Sequence, residues 1–236
     1  MVVSTPPPNF SSRSSAISLS PVLQEPLAPP KPVSTEAMFE AKRCLDVVGA
    51  AALLVALAPL LALIAAFVKL TSRGPVLFSQ WRVGKDGEMF RFYKFRSMVL
   101  DAEQRKVELV SWSDHQDSIT FKMKKDPRIT RVGKLLRKFS LDELPQLWNV
   151  LRGDMSLVGP RPAVPDEVAR YTMAQLKRLS VLPGLTCLWQ IRGRANLPFD
   201  AQVQLDLEYI RERSFLLDLR LLVLTVPAVL TCRGAY

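Results

Sequence analysis

A single uncharged apolar run dominates the hydrophobic pattern of the chain. It extends from Val47 to Val68, 22 residues without a charged side chain. At about 1.5 Å per residue, a straight helix of this length would cross a hydrocarbon core of about 30 Å. The simplest interpretation is one transmembrane helix.

A proline and the flanking charges favour a different arrangement. Pro59 lies in the middle of the run, where a proline removes a backbone donor and clashes with the preceding turn. Basic residues flank both ends, whereas a spanning segment concentrates its Lys and Arg on one side. We therefore predict a re-entrant hairpin over residues 36 to 72 that breaks at Ala58 and Pro59 and returns to the same membrane face. The single span stays as the alternative.

Shorter patterns predict a folded domain over residues 73 to 236. Two β-favouring runs, 76 to 83 and 88 to 98, surround a four-residue turn that contains Gly84 and Gly87, which is typical of a β-hairpin. A polar helical pattern predicts a helix at 100 to 110, and further helical patterns predict helices at 130 to 139, 144 to 151, 166 to 182, 201 to 211 and 217 to 230. The predicted fold class is therefore α+β and mainly helical.

The last of these helices, 217 to 230, combines a strongly apolar composition with charged residues. Asp218 and Arg220 lie near its start and Pro227 near its end. Because charges inside a bilayer are costly, we predict an interfacial helix that lies on the membrane.

Composition separates the first residues from the rest of the chain. Residues 1 to 35 contain eight prolines and eight serines without apolar periodicity, so we predict a disordered tail. Lys and Arg outnumber Asp and Glu by 32 to 22, a net charge of +10, which indicates anionic partners. The three cysteines show no CxxC spacing and predict free thiols, and His115 is interpreted as a solvated loop residue.

Two adjacent carboxylates, Asp142 and Glu143, form the first candidate site. Pro145 is tolerated only in the first turn of a helix, so a helix should begin near Asp142. In one interpretation Ser140 and Glu143 form a capping box. In the other, Asp142 attacks a phosphorus atom while Glu143 helps to hold a divalent metal. Both interpretations are open on these residues alone.

Several cations are candidates for phosphate contacts. The rigid turn Gly159-Pro160-Arg161-Pro162 presents one guanidinium, a group suited to bidentate phosphate binding. Lys94, Arg96 and Arg137 could converge on the same anion. Separately, each of these cations is typical of a solvated surface charge.

Six motifs, in their order along the chain, resemble the bacterial sugar transferases, the small monotopic phosphoglycosyl transferases that begin polysaccharide and glycoprotein glycan assembly. The similarity covers about residues 38 to 236. The motifs are Lys42-Arg43-Cys44-Leu45-Asp46, Gly74-Pro75-Val76-Leu77-Phe78, Lys94-Phe95-Arg96-Ser97-Met98, Asp126-Pro127-Arg128-Ile129-Thr130, Ser140-Leu141-Asp142-Glu143-Leu144-Pro145-Gln146-Leu147 and Gly159-Pro160-Arg161-Pro162.

The resemblance implies a ping-pong reaction. Asp142 would take a sugar phosphate from a UDP-sugar with release of UMP, and undecaprenyl phosphate would then attack the phosphosugar. Glu143, with Asp142 beside it, would support Mg²⁺. Substrate contacts are expected from Arg137, Arg161, Lys94, Arg96, Pro160, Pro162 and Gln146.

The resemblance also implies the location of the reaction. The hairpin and the interfacial helices would hold a cytosolic catalytic domain on the inner (cytoplasmic) membrane of a bacterium, with membrane lipid as a partner, in the first membrane step of exopolysaccharide, O-antigen or capsule assembly. Nucleic acid is not an expected partner, and a homodimer is left open. The chain departs from the structurally described small members at Ala58, where they carry a serine, so its break should be less sharp.

Two alternatives from other functional classes remain at this point. A membrane-docked basic binding protein would use the positive charge without catalysis. An ordinary glycosyltransferase would pass the sugar alone and release UDP.

Overall fold

The computed structural model describes Val2–Val3 and residues 35 to 109, 119, 123, 125 to 194 and 197 to 231. Its strands are β1 (Val2–Val3), β2 (Leu77–Val83), β3 (Met89–Phe95), β4 (Ser156–Val158) and β5 (Gly184–Thr186). Its α-helices are α1 (Thr35–Ala56), α2 (Ala58–Thr71), α3 (Ala102–Leu109), α4 (Arg131–Lys138), α5 (Gln146–Arg152), α6 (Pro165–Val168), α7 (Met173–Leu176), α8 (Leu188–Arg192), α9 (Phe199–Glu212) and α10 (Phe215–Leu230). The predicted α+β, mainly helical class is confirmed.

A sharp bend separates α1 from α2. Leu57 leaves the helical conformation (φ −92°, ψ 2°), and the two helices are bent by 63°. Pro59 lies in the first turn of α2, where an amide would have no intrahelical acceptor. Within the described residues no single helix is long and apolar enough to cross a membrane, although the bent pair together is. The break is thus confirmed next to the predicted Ala58 and Pro59, and its re-entry into a membrane stays a prediction.

The predicted β-hairpin is present. β2 and β3 pair antiparallel, from Leu77 opposite Phe95 to Val83 opposite Met89. The amide of Gly84 donates to the carbonyl of Glu88 (2.7 Å), which closes the turn. This hairpin carries Lys94 toward the site described below.

The start of the chain departs in part from the predicted disordered tail. Val2 and Val3 pair in parallel with Phe78 and Ser79, on the edge of β2 that β3 leaves free. An unpaired strand edge presents backbone donors and acceptors to any extended segment that reaches it. Apart from Thr35 in α1, the other residues of the predicted tail lie outside the described part of the chain, so their disorder stays a prediction.

The helix predicted over residues 166 to 182 is wrong as a single element. The chain instead forms α6, α7 and the 3₁₀ helix Lys177–Ser180. Thr172 begins α7 with an extended backbone (φ −71°, ψ 164°), and the side chain of Gln175 bonds back to its amide. Because a capping residue lies outside the helical conformation, this capping box interrupts the helix.

A two-stranded parallel sheet, which the sequence analysis did not predict, fixes the start of the Pro160-Arg161-Pro162 turn. Val158 of β4 pairs with Thr186 of β5. A Cβ atom on Gly184 would collide with the backbone of Gly159. Only glycine therefore allows the two strands to approach this closely.

Two apolar clusters join the bent helices to the rest of the fold. In the first, Leu147 of α5 is completely buried and packs with Ala50 of α1 and Leu221 of α10. In the second, Val68 of α2 packs with Leu136 of α4. Both arms of the bent pair are thus part of the hydrophobic core that supports the site.

Candidate active site

The adjacent carboxylates Asp142 and Glu143 lie in a 3₁₀ turn, Leu141–Glu143, rather than in the first turn of a helix. A helical turn does begin at Leu141, next to the predicted start near Asp142, but the α-helix begins only at Gln146, so the carboxylates do not lie at its amino end as predicted. Ser140 has a left-handed backbone (φ 53°) and makes no side-chain cap. Because capping residues have an extended backbone, the capping-box interpretation is also wrong.

Both carboxylates line a cavity of about 350 Å³. The 3₁₀ turn, the β-hairpin, α4 and the turn after β4 supply its polar walls. The predicted site residues that meet there are Lys94, Arg137, Asp142, Glu143, Arg161 and Pro162. Residues from four separate parts of the sequence are therefore brought to one site.

Asp142 is a buried carboxylate among cations. It is 6% exposed and accepts no hydrogen bond from any described residue. Burial and the neighbouring Glu143 raise its pKa to about 6, while Lys94, Arg137 and Arg161 oppose the rise. A buried carboxylate that faces cations and is hydrogen-bonded to no described residue suits a nucleophile.

Lys94 and Arg137 both lie near enough to this carboxylate to oppose the rise in its pKa. Burial and the neighbouring Arg137 lower the pKa of Lys94 to about 8, against the favourable field of Asp142. The Lys94 ammonium lies 5.0 Å from the centre of the Phe78 ring. Arg137 is held by its Nε, which donates to Ser97 Oγ (3.1 Å). Both cations are thus positioned before any ligand binds.

Arg161 connects the turn after β4 to the carboxylates. Its Nη1 donates to Glu143 Oε1 at 3.1 Å. Burial opposes the charge, but the ion pair with Glu143 outweighs it, and the pKa of Arg161 is raised. The arginine predicted from the Pro-rich turn is therefore fixed beside Asp142.

Three predicted contact residues lie elsewhere. Arg96 Nη2 donates to the carbonyl of Ser72 (2.8 Å) at the end of α2, so it joins the bent helices to the sheet. Gln146 is buried without lining the main cavity. Pro160 lines a smaller neighbouring cavity. The period of two in a strand puts Arg96 and Lys94 on one face, but it carries no information about which helix covers the end of the strand.

Several residues of the cavity were missed by the sequence analysis. Arg82 of β2 lines it, and its Nη1 donates to the carbonyl of Pro162 (2.9 Å), so it supports the Arg161 turn. The period-two pattern of β2 places Gln80 and Arg82 on one face, a signal that could have identified them. Tyr171 and Arg178 were assigned to a continuous helix, and the interruption in that helix brings them to the cavity wall.

Arg178 is the centre of a buried assembly. Its Nε donates to Asp206 Oδ2 (2.9 Å), and its Nη1 donates to the Tyr171 hydroxyl (2.9 Å). Its guanidinium lies 5.6 Å from the Tyr171 ring centre and 5.7 Å from that of Phe199. Burial raises the pKa of Asp206 to about 6, against the field of Arg178.

A polar network ties α1 to the strand that leads to Arg161. Lys42 Nζ donates to the carbonyl of Val158 (3.0 Å) and pairs with Asp218 Oδ2 of α10 (2.5 Å). The Tyr209 hydroxyl donates to the other oxygen of Asp218 (2.8 Å). Asp46 of α1 accepts from the backbone of β4 (2.8 Å). The first arm of the bent pair and the strand that leads to Arg161 are therefore coupled through charged hydrogen bonds.

Metal-binding side chains are sparse in the described part of the chain. No three His, Cys, Asp or Glu residues cluster there as a metal site. Asp142 and Glu143 supply two carboxylates, and this fits Mg²⁺, which keeps several waters and takes one or two carboxylates together with substrate phosphates. Two of the cysteines are free thiols, as predicted, while the third and His115 lie outside the described residues.

The chain is similar to known proteins over most of its length. The model of the bacterial sugar transferase family matches residues 37 to 232. The chain is 49% identical to the galactosyl transferase CpsE of Streptococcus agalactiae, over 83% of this chain and 43% of that protein. It is 42% identical to the exopolysaccharide production protein ExoY of Rhizobium meliloti, over 83% and 88%. It is 43% identical to the undecaprenyl-phosphate galactose phosphotransferase of Salmonella typhimurium, over 83% and 41%. It thus spans less than half the length of two of these relatives.

Proposed function

We propose, since the chain belongs to the bacterial sugar transferase family, that it transfers a sugar phosphate from a UDP-sugar to undecaprenyl phosphate and releases UMP. The family, predicted from the motifs, is confirmed. The observation that supports the activity is the buried carboxylate of Asp142, which no described residue hydrogen-bonds and which lies among Lys94, Arg137 and Arg161. The relative from Salmonella typhimurium, by its name, is an undecaprenyl-phosphate galactose phosphotransferase.

In the first half-reaction, a carboxylate oxygen of Asp142 attacks the phosphorus that bears the sugar. A bond forms between the Asp142 oxygen and phosphorus, which gives an acyl phosphate, while the P–O bond to UMP breaks and UMP leaves with the bonding electron pair. Because two anions meet, the fixed cations around Asp142 are needed to offset their repulsion.

In the second half-reaction, an oxygen of undecaprenyl phosphate attacks the same phosphorus. The acyl phosphate bond to Asp142 breaks, the carboxylate is regenerated, and undecaprenyl-diphosphosugar leaves. Asp142 is thus the nucleophile of the first step and the leaving group of the second, and the phosphosugar stays on the enzyme between the two steps, as a ping-pong reaction requires.

Mg²⁺ is proposed as the cofactor. Glu143 and Asp142 would hold it, and when bound it would neutralise charge on the diphosphate of the donor. Glu143 is paired with Arg161 (3.1 Å), so its exchange between arginine and metal would couple donor binding to the release of the arginine for phosphate.

We place the reaction on the cytoplasmic face of the bacterial inner membrane, in exopolysaccharide, O-antigen or capsule assembly. The bent pair α1–α2 would dip into the bilayer as a re-entrant hairpin. α10 exposes large apolar side chains, among them Leu216 (77% exposed), Val223 and Val226, and would lie in the interface. The polyprenyl tail could then stay in lipid while its phosphate reaches Asp142.

The identity of the released nucleotide tests this function. Membranes containing the protein are incubated with undecaprenyl phosphate and labelled UDP-galactose or UDP-glucose, and the products are separated. UMP together with a diphosphate-linked lipid is the expected result. Release of UDP would instead identify a glycosyltransferase, and no turnover with any UDP-sugar would contradict the proposal.

The variant Asp142→Asn isolates the nucleophile. It should fold and bind membranes but form no radiolabelled phosphosugar adduct from the UDP-sugar. Asp86→Asn is a matched control, because Asp86 lies in the exposed hairpin turn with a left-handed backbone that Asn also adopts. Turnover by Asp142→Asn would make this carboxylate structural.

A further inference from the structure

The cavity has a second end, lined by rings and amides. Around Asp142, the cavity presents Lys94, Arg137 and Glu143 from β3, α4 and the 3₁₀ turn. Away from it, α8, α9 and their neighbours present a different set. We call this set the aromatic end, and its members are Tyr171, Arg178, Trp189, Gln190, Arg194 and Phe199.

The charge of Arg178 is neutralised within the aromatic end. Arg178 Nη2 lies 2.6 Å from Asp206 Oδ2, and both side chains are almost completely buried, 6% and 0% exposed. The rings of Tyr171 and Phe199 lie 5.7 Å apart on this guanidinium. A guanidinium paired in this way is poorly available to phosphate, so the aromatic end suits an uncharged, flat group.

Polar atoms of the aromatic end still require partners. Arg194 Nη1 is buried and makes no hydrogen bond to any described residue. Gln190 accepts from Cys187 Sγ through Oε1 (3.3 Å), and its amide nitrogen donates to no residue that the structure describes. A ligand with carbonyl acceptors along one edge would satisfy both donors.

Arg161 lies between the two ends. On one side it pairs with Glu143. On the other side, its turn is bonded to β5 through the Gly184 amide, which donates to the carbonyl of Pro160 (2.8 Å). β5 leads through Cys187 directly into α8, which carries Trp189 and Gln190. A phosphate on Arg161 would therefore have Asp142 on one side and the aromatic end on the other.

We infer that the aromatic end binds the uracil and ribose of the nucleotide sugar, with Tyr171 against the base and with Gln190 and Arg194 at its carbonyl edge. The inference rests on the proposed function. Uracil combines a flat π face with two carbonyl acceptors, whereas a hexose has no π face and needs donors and acceptors around its whole rim. The sugar would then extend past Asp142, and UMP would be the part that the aromatic end retains after the first half-reaction.

The pair Tyr171→Leu and Tyr171→Phe separates the ring from its hydroxyl. Titration calorimetry on the full chain in nanodiscs measures the affinity for UMP, and steady-state kinetics measure KM for UDP-galactose and for UDP-glucose. Tyr171→Leu should lower the affinity for UMP about tenfold and raise KM for both donors by the same factor, since stacking on the ring is lost. Tyr171→Phe, which keeps the ring, should stay within about twofold of the wild type. Inhibition by galactose 1-phosphate should be unchanged in both.

Gln190→Leu is a second variant, on a half-exposed side chain that leaves the Arg178–Asp206 pair intact. It should also lower the affinity for UMP and raise KM for both donors by the same factor. Unchanged UMP affinity in Tyr171→Leu and Gln190→Leu, or a shift in the preference between the two donors, would overturn the inference and assign this end to the sugar. Failure of the proposed function has a different signature, because the wild type would then bind UMP at the aromatic end without releasing it from any UDP-sugar.

Discussion

Arg161 and Glu143 form an ion pair at 3.1 Å in the wall of the cavity that contains Asp142. The pair holds the guanidinium next to Asp142, the proposed nucleophile. It also occupies the carboxylate that is proposed to bind Mg²⁺. In the proposed reaction, the diphosphate of the donor would offer Arg161 new acceptors in place of Glu143.

Removal of the Arg161 charge should strongly reduce turnover. Arg161→Met should lower kcat by about 10²- to 10³-fold, because a preorganised cation beside the reacting phosphorus is lost. Arg161→Lys should fall between this variant and the wild type, since an ammonium cannot make bidentate contacts. The rate of UMP release gives kcat for both variants. Arg152→Met, which removes an exposed arginine of α5 (53% exposed), is the matched control, and an equal loss there would remove the special role of Arg161.

The pH dependence of adduct formation should be bell-shaped. Asp142 must be ionised to attack, and its pKa is raised to about 6, so the rate should fall about tenfold for each pH unit below 6. Lys94 must be protonated to offset phosphate charge, and its pKa is lowered to about 8, so the rate should also fall above pH 8. Single-turnover labelling between pH 5 and pH 9 measures the profile.

Lys94→Arg provides the control for the alkaline limb. Arginine stays protonated throughout this range, so the decline above pH 8 should disappear while the acid limb remains. An unchanged alkaline limb in Lys94→Arg would assign that limb to another group.

Gly184 should be intolerant of a side chain. In Gly184→Ala the added Cβ would collide with the backbone of Gly159, so β4 and β5 would separate and the Arg161 turn would shift. We expect a lower melting temperature and a loss of UMP release. Gly87→Asn is the control, because Gly87 (φ +86°) has open space around it and asparagine tolerates a left-handed backbone. Wild-type behaviour of Gly184→Ala would show that the strands adjust without displacing the turn.

The Tyr209 hydroxyl should contribute measurably to stability. It donates its one proton to Asp218 Oδ1 (2.8 Å), with the carbonyl of Val158 also within 3.1 Å, so Tyr209→Phe should cost about 1–3 kcal/mol by leaving the buried Asp218 oxygen without this donor. A melting curve in detergent measures the loss. Tyr93→Phe is the matched control, since the Tyr93 ring is half-buried and no hydrogen bond from its hydroxyl is present among the described residues. Equal melting temperatures for the two variants would contradict this prediction.

The two flanks of the bent pair should face the same side of the membrane. Cys44 is an exposed thiol on α1, whereas Cys187 is buried. After Cys232→Ser, an added Thr71→Cys at the end of α2 gives one accessible thiol on each flank. Both should react with an impermeant maleimide only from the cytoplasmic side. Labelling of the second thiol from the opposite side would identify a transmembrane span.

Pro59→Ala supplies the physical test of the same hairpin. Restoring the backbone donor removes the cause of the break, so part of the population should straighten and place the thiol at position 71 on the far side. Pro227→Ala, which alters the proline inside α10 instead, should leave the labelling pattern unchanged.

Local patterns predicted those features that depend on neighbouring residues. The bend follows from one proline in an uncharged run, and the hairpin follows from two alternating runs around glycines. The continuous helix over 166 to 182 failed because the Thr172 capping box competes successfully with helical spacing. Ser140 failed as a cap because its left-handed backbone has no local sequence signal.

The candidate site divides in the same way. The Asp142–Glu143 pair and the Pro-rich turn of Arg161 were recognisable from residue type and spacing, because a phosphate site needs carboxylates and constrained cations. The ion pair between Arg161 and Glu143 at 3.1 Å was not recognisable from the sequence. The two residues lie 18 positions apart, and the pairing of β4 with β5 places the turn beside the carboxylates. Arg96 was expected at the site and lies elsewhere. Its strand position matches that of Lys94, but its guanidinium donates to the carbonyl of Ser72 at the end of α2.

The amino-acid order thus specifies the broken apolar segment, the strand pair, the family and the chemical identity of the reacting groups, because each depends on short-range sterics or on residue type. Packing between distant segments specifies which cations reach Asp142, how far burial raises its pKa, and where the aromatic end lies. Those properties depend on distances through space and on the exclusion of water, and the chain acquires both only when the helices close over the cavity.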